Sequence, residues 1–177
     1  MGCTAGAVWG QERAATPPVL RTPDVRYEPS EMEVVQVMLR LGEVKAGDVV
    51  YDLGCGDGRI VIAAVRQAGA LGVCVDIDPQ RIAESRENAR QAGVAERIEF
   101  LNQDLLATDL TRATVVMLFL SPELNLRVRP KLLRELKPGT RVVSHWHDMG
   151  DWKAEQSVFL TGSGRGRYIY RWTIPER

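Results

Sequence analysis

The sequence of 177 residues lacks a net charge, because 23 lysines and arginines balance 23 aspartates and glutamates. A protein built mainly to hold a nucleic-acid backbone carries a basic excess, so this balance argues against that class. No apolar run approaches the roughly 20 residues needed to span a bilayer. The three cysteines, Cys3, Cys55 and Cys74, have no C-x-x-C spacing. We therefore expect neither a disulfide framework nor a zinc knuckle.

The first 26 residues differ from the rest of the chain. They hold three prolines and no apolar periodicity, which predicts a flexible arm over residues 1–26. The remaining residues, 27–177, have the length and composition of one globular domain. We expect a cytoplasmic protein, with a trimmed leader as the alternative interpretation of the arm.

Helical and strand patterns alternate from residue 27 onward. Ser30 and Glu33 have the spacing of a capping box ahead of a helix that ends near Gly42. Short apolar runs predict strands at 49–53, 72–77, 98–101, 113–120 and 141–145. Two further runs, 156–160 and 167–174, flank a glycine-rich segment and predict a hairpin. The pattern indicates an α/β fold, with helices on both faces of a mostly parallel sheet that ends in an antiparallel pair.

The most informative stretch lies between the first predicted strand and the helix that follows it, where ligands bind in open parallel sheets. It reads Asp-Leu-Gly-Cys-Gly-Asp-Gly-Arg over residues 52–59. Its glycines stand at 54, 56 and 58, which does not match the G-x-G-x-x-G dinucleotide fingerprint. The carboxylate of Asp52 would also repel a pyrophosphate. The stretch therefore favours a ligand with a positive charge at this point, and a tight turn without a ligand is the alternative.

Two more carboxylates end successive predicted strands. Asp76 stands where nucleotide-binding α/β folds hydrogen-bond the ribose hydroxyls. Asp104 follows the third strand, where it could accept a hydrogen bond from an adenine amino group. Asp78 is a weaker candidate, because it precedes Pro79 and can cap the next helix. Together the carboxylates describe a ligand with a sugar, an adenine and a cationic part, although each alone could be a solvated loop residue.

These motifs resemble those of the class I S-adenosylmethionine-dependent methyltransferases. Residues 52–58 match the first motif of that superfamily, 75–79 the second and 102–104 the third. The resemblance implies a Rossmann-like, seven-stranded sheet in the order 3-2-1-4-5-7-6, with S-adenosylmethionine as the cofactor. It further implies that the glycine loop and Asp52 hold the methionine end, Asp76 the ribose and Asp104 the adenine. The cofactor-binding residues implied in this way are Asp52, Gly54, Cys55, Gly56, Asp57, Gly58, Asp76, Ile77, Asp104, Leu105 and Leu120.

A narrower resemblance rests on residues 27–30, 36–37 and 56–64. They are similar to the small protein-lysine methyltransferases that modify the c subunit of ATP synthase and the adenine nucleotide translocase, and we expect a bacterial branch of that group. The resemblance implies a protein lysine amine as methyl acceptor, with a small-molecule amine, thiol or hydroxyl as the alternative. A non-catalytic S-adenosylmethionine-binding module and a nucleotide-binding oxidoreductase are the other hypotheses. The oligomeric state stays open.

The loops after the fourth and fifth strands are where this architecture receives the acceptor. The loop after the fourth strand has one proline, no aromatic residue and no cysteine, which disfavours methylation of a nucleic-acid base. The loop after the fifth strand holds both histidines, His145 and His147, which would share a face if the strand continued. We predict catalytic roles for His145 and Asp148, with Glu123 as a third candidate. No metal is expected, although a metal site and a merely structural loop are the alternatives.

Overall fold

The structure is a computed structural model that describes residue 22 and residues 27–161 and 166–176. The predicted arm over residues 1–26 lies, apart from Thr22, outside the described residues. None of the helices in the described ranges is long and apolar enough to cross a membrane.

Helices and strands alternate along the described chain. The helices are α1 (Met32–Leu41), α2 (Arg59–Ala68), α3 (Pro79–Gln91) and α4 (Pro122–Glu135), with a short 3₁₀ helix at Ala95–Arg97. The strands are β1 (Val49–Leu53), β2 (Leu71–Asp76), β3 (Ile98–Asn102), β4 (Val115–Leu118), β5 (Arg141–His145), β6 (Gln156–Leu160) and β7 (Arg167–Thr173). The predicted elements are confirmed, with ends that differ by one or two residues at most positions.

The seven strands form one sheet in the order β3-β2-β1-β4-β5-β7-β6. The pairs from β3 to β5 are parallel, whereas β7 pairs antiparallel with both β5 and β6. The expected order and the antiparallel hairpin are confirmed. The order reverses between β1 and β4, which is the switch point where open α/β sheets bind their ligands.

Helices cover both faces of the sheet. On one face, α1 and α2 pack Met38 and Ala64 against Val50 of β1, and α3 continues the layer over β2 and β3. On the other face, α4 packs Leu132 into a core with Leu53. Strands that are buried on both faces need side chains that are apolar throughout, and every residue of β4 is fully buried.

The start of α1 differs from the prediction. The helix begins at Met32 after the N-cap residue Glu31, whose side chain makes no capping hydrogen bond. Ser30 lies one residue too early to cap it, and its hydroxyl is hydrogen-bonded to His145, 115 positions away. The predicted capping box is therefore wrong. A buried tertiary partner has replaced the local backbone partner that the spacing suggested.

Candidate functional site

A cavity of about 270 Å³ opens at the carboxyl ends of the parallel strands. Its walls come from the loops after β1, β2, β3 and β4, from His147 after β5, and from residues 27–30 ahead of α1. Most of the residues for which the sequence predicts cofactor binding lie on these walls: Gly54, Cys55, Gly56, Asp57, Asp76, Ile77, Asp104, Leu105 and Leu120. Asp52 and Gly58 do not lie on the walls, although both belong to the same loop region.

The glycine loop owes its path to backbone conformations that favour glycine. Gly54, Gly56 and Gly58 have φ angles of 81°, 55° and 80°, in the left-handed region. A Cβ atom on Gly56 would collide with the ring of Tyr27, and one on Gly54 would lie 2.9 Å from the Leu120 side chain. The first two glycines thus keep the floor of the cavity open. Gly58 instead serves as the N-cap residue of α2.

Asp76 ties the glycine loop to the end of β2. Its Oδ2 accepts a hydrogen bond from the Gly56 amide at 2.9 Å, and its Oδ1 accepts one from the Asp78 amide at 2.9 Å. The Ile77 amide also donates to this carboxylate, which has about four acceptor positions, so part of its accepting capacity remains for a ligand in the cavity. Burial raises the pKa of Asp76. Asp78 caps α3 by accepting from the Gln80 amide at 2.8 Å, which confirms its predicted capping role.

Asp52 lies beneath the loop, 1% exposed. Its Oδ2 has no hydrogen-bond partner among the described residues. Burial, and next the negative charge of Asp76, raise the pKa of Asp52 to about 8. A carboxylic acid of this kind holds a proton at neutral pH and ionises when a cation comes near.

A disulfide joins Cys55 of the glycine loop to Cys74 of β2. The expectation from cysteine spacing, that no disulfide is present, is wrong for this pair. The two residues are 19 positions apart in the chain, but the parallel pairing of β1 with β2 sets Asp52 opposite Cys74, and the Cys55 amide donates to the Val75 carbonyl. Sheet register, which no cysteine motif records, brings the two sulfurs together.

The third predicted carboxylate lies on the wall beyond Asp76. Asp104 accepts a hydrogen bond from the Leu106 amide at 2.9 Å, which fixes the turn after β3. Leu105 and Leu120 lie on the same cavity, so this end combines a carboxylate with apolar surface. Such a combination suits a flat heterocycle that carries an amino group.

At the far end of the cavity, a tight turn separates the two histidines. The His147 amide donates to the His145 carbonyl at 2.9 Å, and Trp146 between them has a φ of 71°. This is a γ-turn of the rare, strained kind, so the strand ends at His145. The prediction that His145 and His147 share a strand face is therefore wrong. His147 lies on the cavity wall and His145 does not.

His145 is enclosed on the side of the sheet that α1 covers. Its Nδ1 is hydrogen-bonded to Ser30 Oγ at 3.0 Å, and its ring centroid lies 4.1 Å from that of Phe119. Burial, and next the charge of Arg167, lower the pKa of His145 to about 4. The imidazole is therefore neutral at pH 7. Its catalytic role stays a prediction, but in this structure other residues separate it from the cavity.

The two predicted catalytic carboxylates are exposed and lie beside His147. Asp148 accepts a hydrogen bond from the Gly150 amide, and Glu123 lies in the first turn of α4, which Ser121 caps. Neither carboxylate lies on the cavity wall. Burial lowers the pKa of His147, and the charges of Glu123 and Asp148 oppose that shift. The structure thus brings both carboxylates close to the histidine that sequence reasoning did not choose.

Sequence reasoning also missed the basic and aromatic side chains of the wall. Arg59 binds both carboxylate oxygens of Asp57 and donates to the Ser30 carbonyl at 2.9 Å. The guanidinium of Arg81 lies 4.4 Å from the ring centroid of Tyr27. Tyr27 and Ser30 belong to a stretch on which the narrower resemblance rests. Because this stretch is far from the glycine loop in the chain, the sequence did not predict that it lines the same cavity.

These residues fit the S-adenosylmethionine that the resemblance implies. The open glycine floor admits a ligand close to the backbone, and the remaining accepting capacity of Asp76 suits the hydroxyls of a ribose. Asp52 lies beneath this floor, so its buried carboxyl suits a positive charge on the ligand without lining the wall. Asp104 with its apolar neighbours suits an adenine. When bound, this cofactor supplies a methyl group carried by a positively charged sulfur.

Comparison with known proteins agrees with this fit. The family model of the ANTKMT methyltransferase domain matches residues 52–156. A protein-lysine N-methyltransferase of Saccharolobus islandicus is 38% identical over 155 residues, which are 87% of this chain and 96% of that protein. The human lysine N-methyltransferase of the ATP synthase c subunit is 29% identical over 164 residues, which are 93% of this chain and 68% of that protein.

A solved structure extends the likeness to three dimensions. It is described as an RNA methyltransferase from Salinibacter ruber in complex with S-adenosyl-L-homocysteine. It is 49% identical with a TM-score of 0.81, over 85% of this chain and 95% of that chain. The chain therefore belongs to the ANTKMT methyltransferase-domain family and is an S-adenosylmethionine-dependent methyltransferase.

Proposed function

We propose that the methyl acceptor is the side-chain amine of a lysine in a protein. One observation carries this proposal: His147 lies on the cavity wall with the carboxylates of Glu123 and Asp148 close enough to influence its titration. The acceptor end of the site therefore combines a hydrogen-bond acceptor inside the cavity with negative charge at its mouth.

The two carboxylates would attract a lysine as its ammonium ion. Both are exposed, so their pull on the ammonium is modest and sensitive to salt. Their main effect is to favour a cationic acceptor over an anionic one at the mouth of the cavity.

Inside the cavity the amine must lose a proton before its lone pair can attack, because its reference pKa is about 10.4. Removal from water lowers that pKa, since burial disfavours the charged form. Burial also lowers the pKa of His147, so its imidazole is neutral at pH 7. A neutral imidazole accepts one N–H of the amine, which holds the nitrogen in place and turns its lone pair away from the histidine.

The named relatives support a lysine acceptor. The Saccharolobus islandicus protein is described as a protein-lysine N-methyltransferase, and the human one as a lysine N-methyltransferase of the ATP synthase c subunit. The first of these aligns over almost its whole length, so its acceptor end as well as its cofactor loops have counterparts here.

RNA is the second candidate acceptor, because the Salinibacter ruber structure with 49% identity is described as an RNA methyltransferase. The charges near the mouth favour lysine over RNA. The chain has no net positive charge, and two arginines of α4 are already paired, Arg129 with Asp151 and Arg134 with Glu135. A phosphate backbone would also meet the carboxylates of Glu123 and Asp148.

The experiment is to incubate the purified protein with methyl-labelled S-adenosylmethionine and a cell extract, and to divide the product. We expect the label to survive ribonuclease, to be released by protease, and to be found on lysine by mass spectrometry. If ribonuclease released the label, the acceptor would be RNA and not a lysine. If the label passed a small-pore filter before any digestion, the acceptor would be a small molecule and not a macromolecule.

A further inference from the structure

Residues 27–30, which we call the strap, form a wall of the cofactor cavity although they precede the first helix. All four residues line the cavity. The ring of Tyr27 lies over Gly56, where a Cβ atom would collide with it. The strap therefore forms the wall of the cavity over the glycine loop, and its position decides how much of the cavity is formed.

Contacts from two sides hold the strap. On the cofactor side, Arg59 of α2 donates to the Ser30 carbonyl at 2.9 Å, Arg81 of α3 lies over the Tyr27 ring, and the Tyr27 hydroxyl is hydrogen-bonded to Asp57. On the sheet side, Ser30 Oγ is hydrogen-bonded to Nδ1 of His145 at 3.0 Å. Because β5 is an interior strand, this second contact ties the strap to the middle of the sheet.

His145 lies where it makes this contact and where it does not reach an acceptor in the cavity. Its side chain is 1% exposed and does not reach the cavity wall. Its Nε2 has no hydrogen-bond partner in the part of the chain that the structure describes. The charged groups that face the ring are Arg167 and Glu31, which pair with each other at 3.1 Å, and His147 beyond the turn.

We propose that His145 is a positioning residue that holds the strap over the cofactor cavity through Ser30, and so sets the affinity for the cofactor. The proposal does not depend on the identity of the acceptor. When only a fraction of the molecules has the cavity in its binding-competent form, the apparent affinity for the ligand is reduced to that fraction of the intrinsic affinity. Loss of the Ser30–His145 hydrogen bond should therefore weaken cofactor binding while the catalytic step at saturating cofactor is kept.

Two substitutions at His145 separate the roles of its two nitrogens. His145→Asn keeps a polar atom near the position of Nδ1, whereas His145→Gln extends an amide toward the position of Nε2. Ser30→Ala removes the hydroxyl on the other side of the hydrogen bond. We expect Ser30→Ala and His145→Gln to weaken binding of S-adenosylhomocysteine about tenfold, and His145→Asn to bind within about threefold of the wild type.

The measurements are calorimetry with S-adenosylhomocysteine, limited proteolysis of the strap without ligand, and kcat at saturating cofactor with the acceptor identified from the extract. Cleavage in the strap should become faster in Ser30→Ala and His145→Gln, and the Ser30→Ala/His145→Gln double variant should bind no more weakly than either single variant. Thr140→Val is the matched control. It removes another buried hydrogen bond, from Thr140 to the Ala113 carbonyl, far from the cavity, and should leave the affinity unchanged.

Two results would overturn the proposal. One is an unchanged affinity in Ser30→Ala and His145→Gln, with a kcat that falls at saturating cofactor. The other is a loss of affinity in Thr140→Val as large as in Ser30→Ala, because it would show that any loss of stability weakens binding. Neither result depends on whether the acceptor is a lysine, since the binding measurements contain no acceptor and kcat can be measured with whichever acceptor the extract experiment identifies.

Discussion

The two ends of the cavity are built from different kinds of chain segment. The cofactor end comes from residues 54–105, in the loops that follow three successive strands and in the first turns of α2 and α3. The acceptor end joins the loop after β4 to His147 after β5, and the strap completes the wall, so these segments lie more than 100 positions apart at their extremes. Short motifs describe the first end because each carries its own backbone geometry. The second end exists only once the sheet has assembled. Substitutions at Asp76 and at His147 should therefore affect different steps, cofactor binding and turnover.

The largest effect is expected at Asp76, at the centre of the cofactor end. Asp76→Ala removes the acceptor for two hydroxyls, and each hydrogen bond to a charged group contributes about 1.5–3 kcal/mol. We expect S-adenosylhomocysteine to bind at least about a hundredfold more weakly in calorimetry. Asp78→Ala is the control, because it removes the cap of α3 and a contact with Arg81 but leaves the carboxylate of Asp76 in place, at a cost of about 1 kcal/mol in the free energy of unfolding. Equal losses of affinity would show that the wrong carboxylate was chosen.

The next effect tests whether the glycine loop must stay open. Gly56→Ala places a Cβ atom against Tyr27, and overpacking costs about 1–3 kcal/mol. We expect a loss of affinity between about fivefold and a hundredfold in the same calorimetric titration. Gly93→Ala has a similar φ of 71° but no atom within 4 Å of the added Cβ, so it isolates the backbone strain. If Gly93→Ala weakened binding as much, the steric explanation would fail.

The third effect is a dependence of stability on pH that Asp52 controls. Its pKa of about 8 lies above that of an unfolded aspartate, so folding binds a proton and the stabilisation is lost as the pH rises toward 8. His145, with a pKa of about 4, makes the free energy of unfolding rise with pH between about pH 4 and 6.5. In that range its contribution opposes that of Asp52. Between about pH 6.5 and 8, only Asp52 of these two groups changes the free energy of unfolding with pH.

Chemical denaturation of the unliganded protein measures this dependence. We expect the free energy of unfolding to fall by about 2 kcal/mol between pH 6.5 and 8.5, from 1.36 kcal/mol per pH unit. Asp52→Asn cannot ionise and should lose almost none of its stability over the same range. A wild-type protein whose stability rises over this range would contradict the protonated state of Asp52.

The smallest effect is expected at the acceptor end and in turnover alone. His147→Phe removes the proposed hydrogen-bond acceptor for the amine, and we expect kcat to fall about tenfold, a loss of about 1.4 kcal/mol in the transition state. The affinity for S-adenosylhomocysteine should change by less than about threefold. The measurement is steady-state kinetics on the acceptor identified from the extract. A raised KM for the cofactor with an unchanged kcat would place His147 at the cofactor end instead.

The sheet and the cofactor loops could be predicted closely because their signals are local. β1 begins and ends where the apolar run predicted, and Asp78 caps α3 as expected. The left-handed glycines at 54 and 56 follow from the motif, since few other residues adopt such angles. Each of these features is decided within a few residues of the chain.

Two of the wrong predictions, the helix cap at Ser30 and the absence of a disulfide, share one physical cause, which is competition from distant partners. Ser30 had a local use as a helix cap, but a buried imidazole took its hydroxyl. Cys55 and Cys74 had no telling spacing, yet strand register joined them. His147 was separated from His145 by a γ-turn whose strain at Trp146 no sequence pattern records.

The sequence by itself determined the α/β architecture and the carboxylates and glycines that suit the cofactor, and the family resemblance of its motifs implied the strand order. Only the tertiary structure decided which histidine reaches the cavity, which hydroxyl holds the strap and which cysteines pair. The physical reason is the range of the interactions. Apolar periodicity and backbone conformation are set between neighbours in the chain, whereas a buried hydrogen bond or a disulfide forms with whatever partner the packed sheet brings within reach.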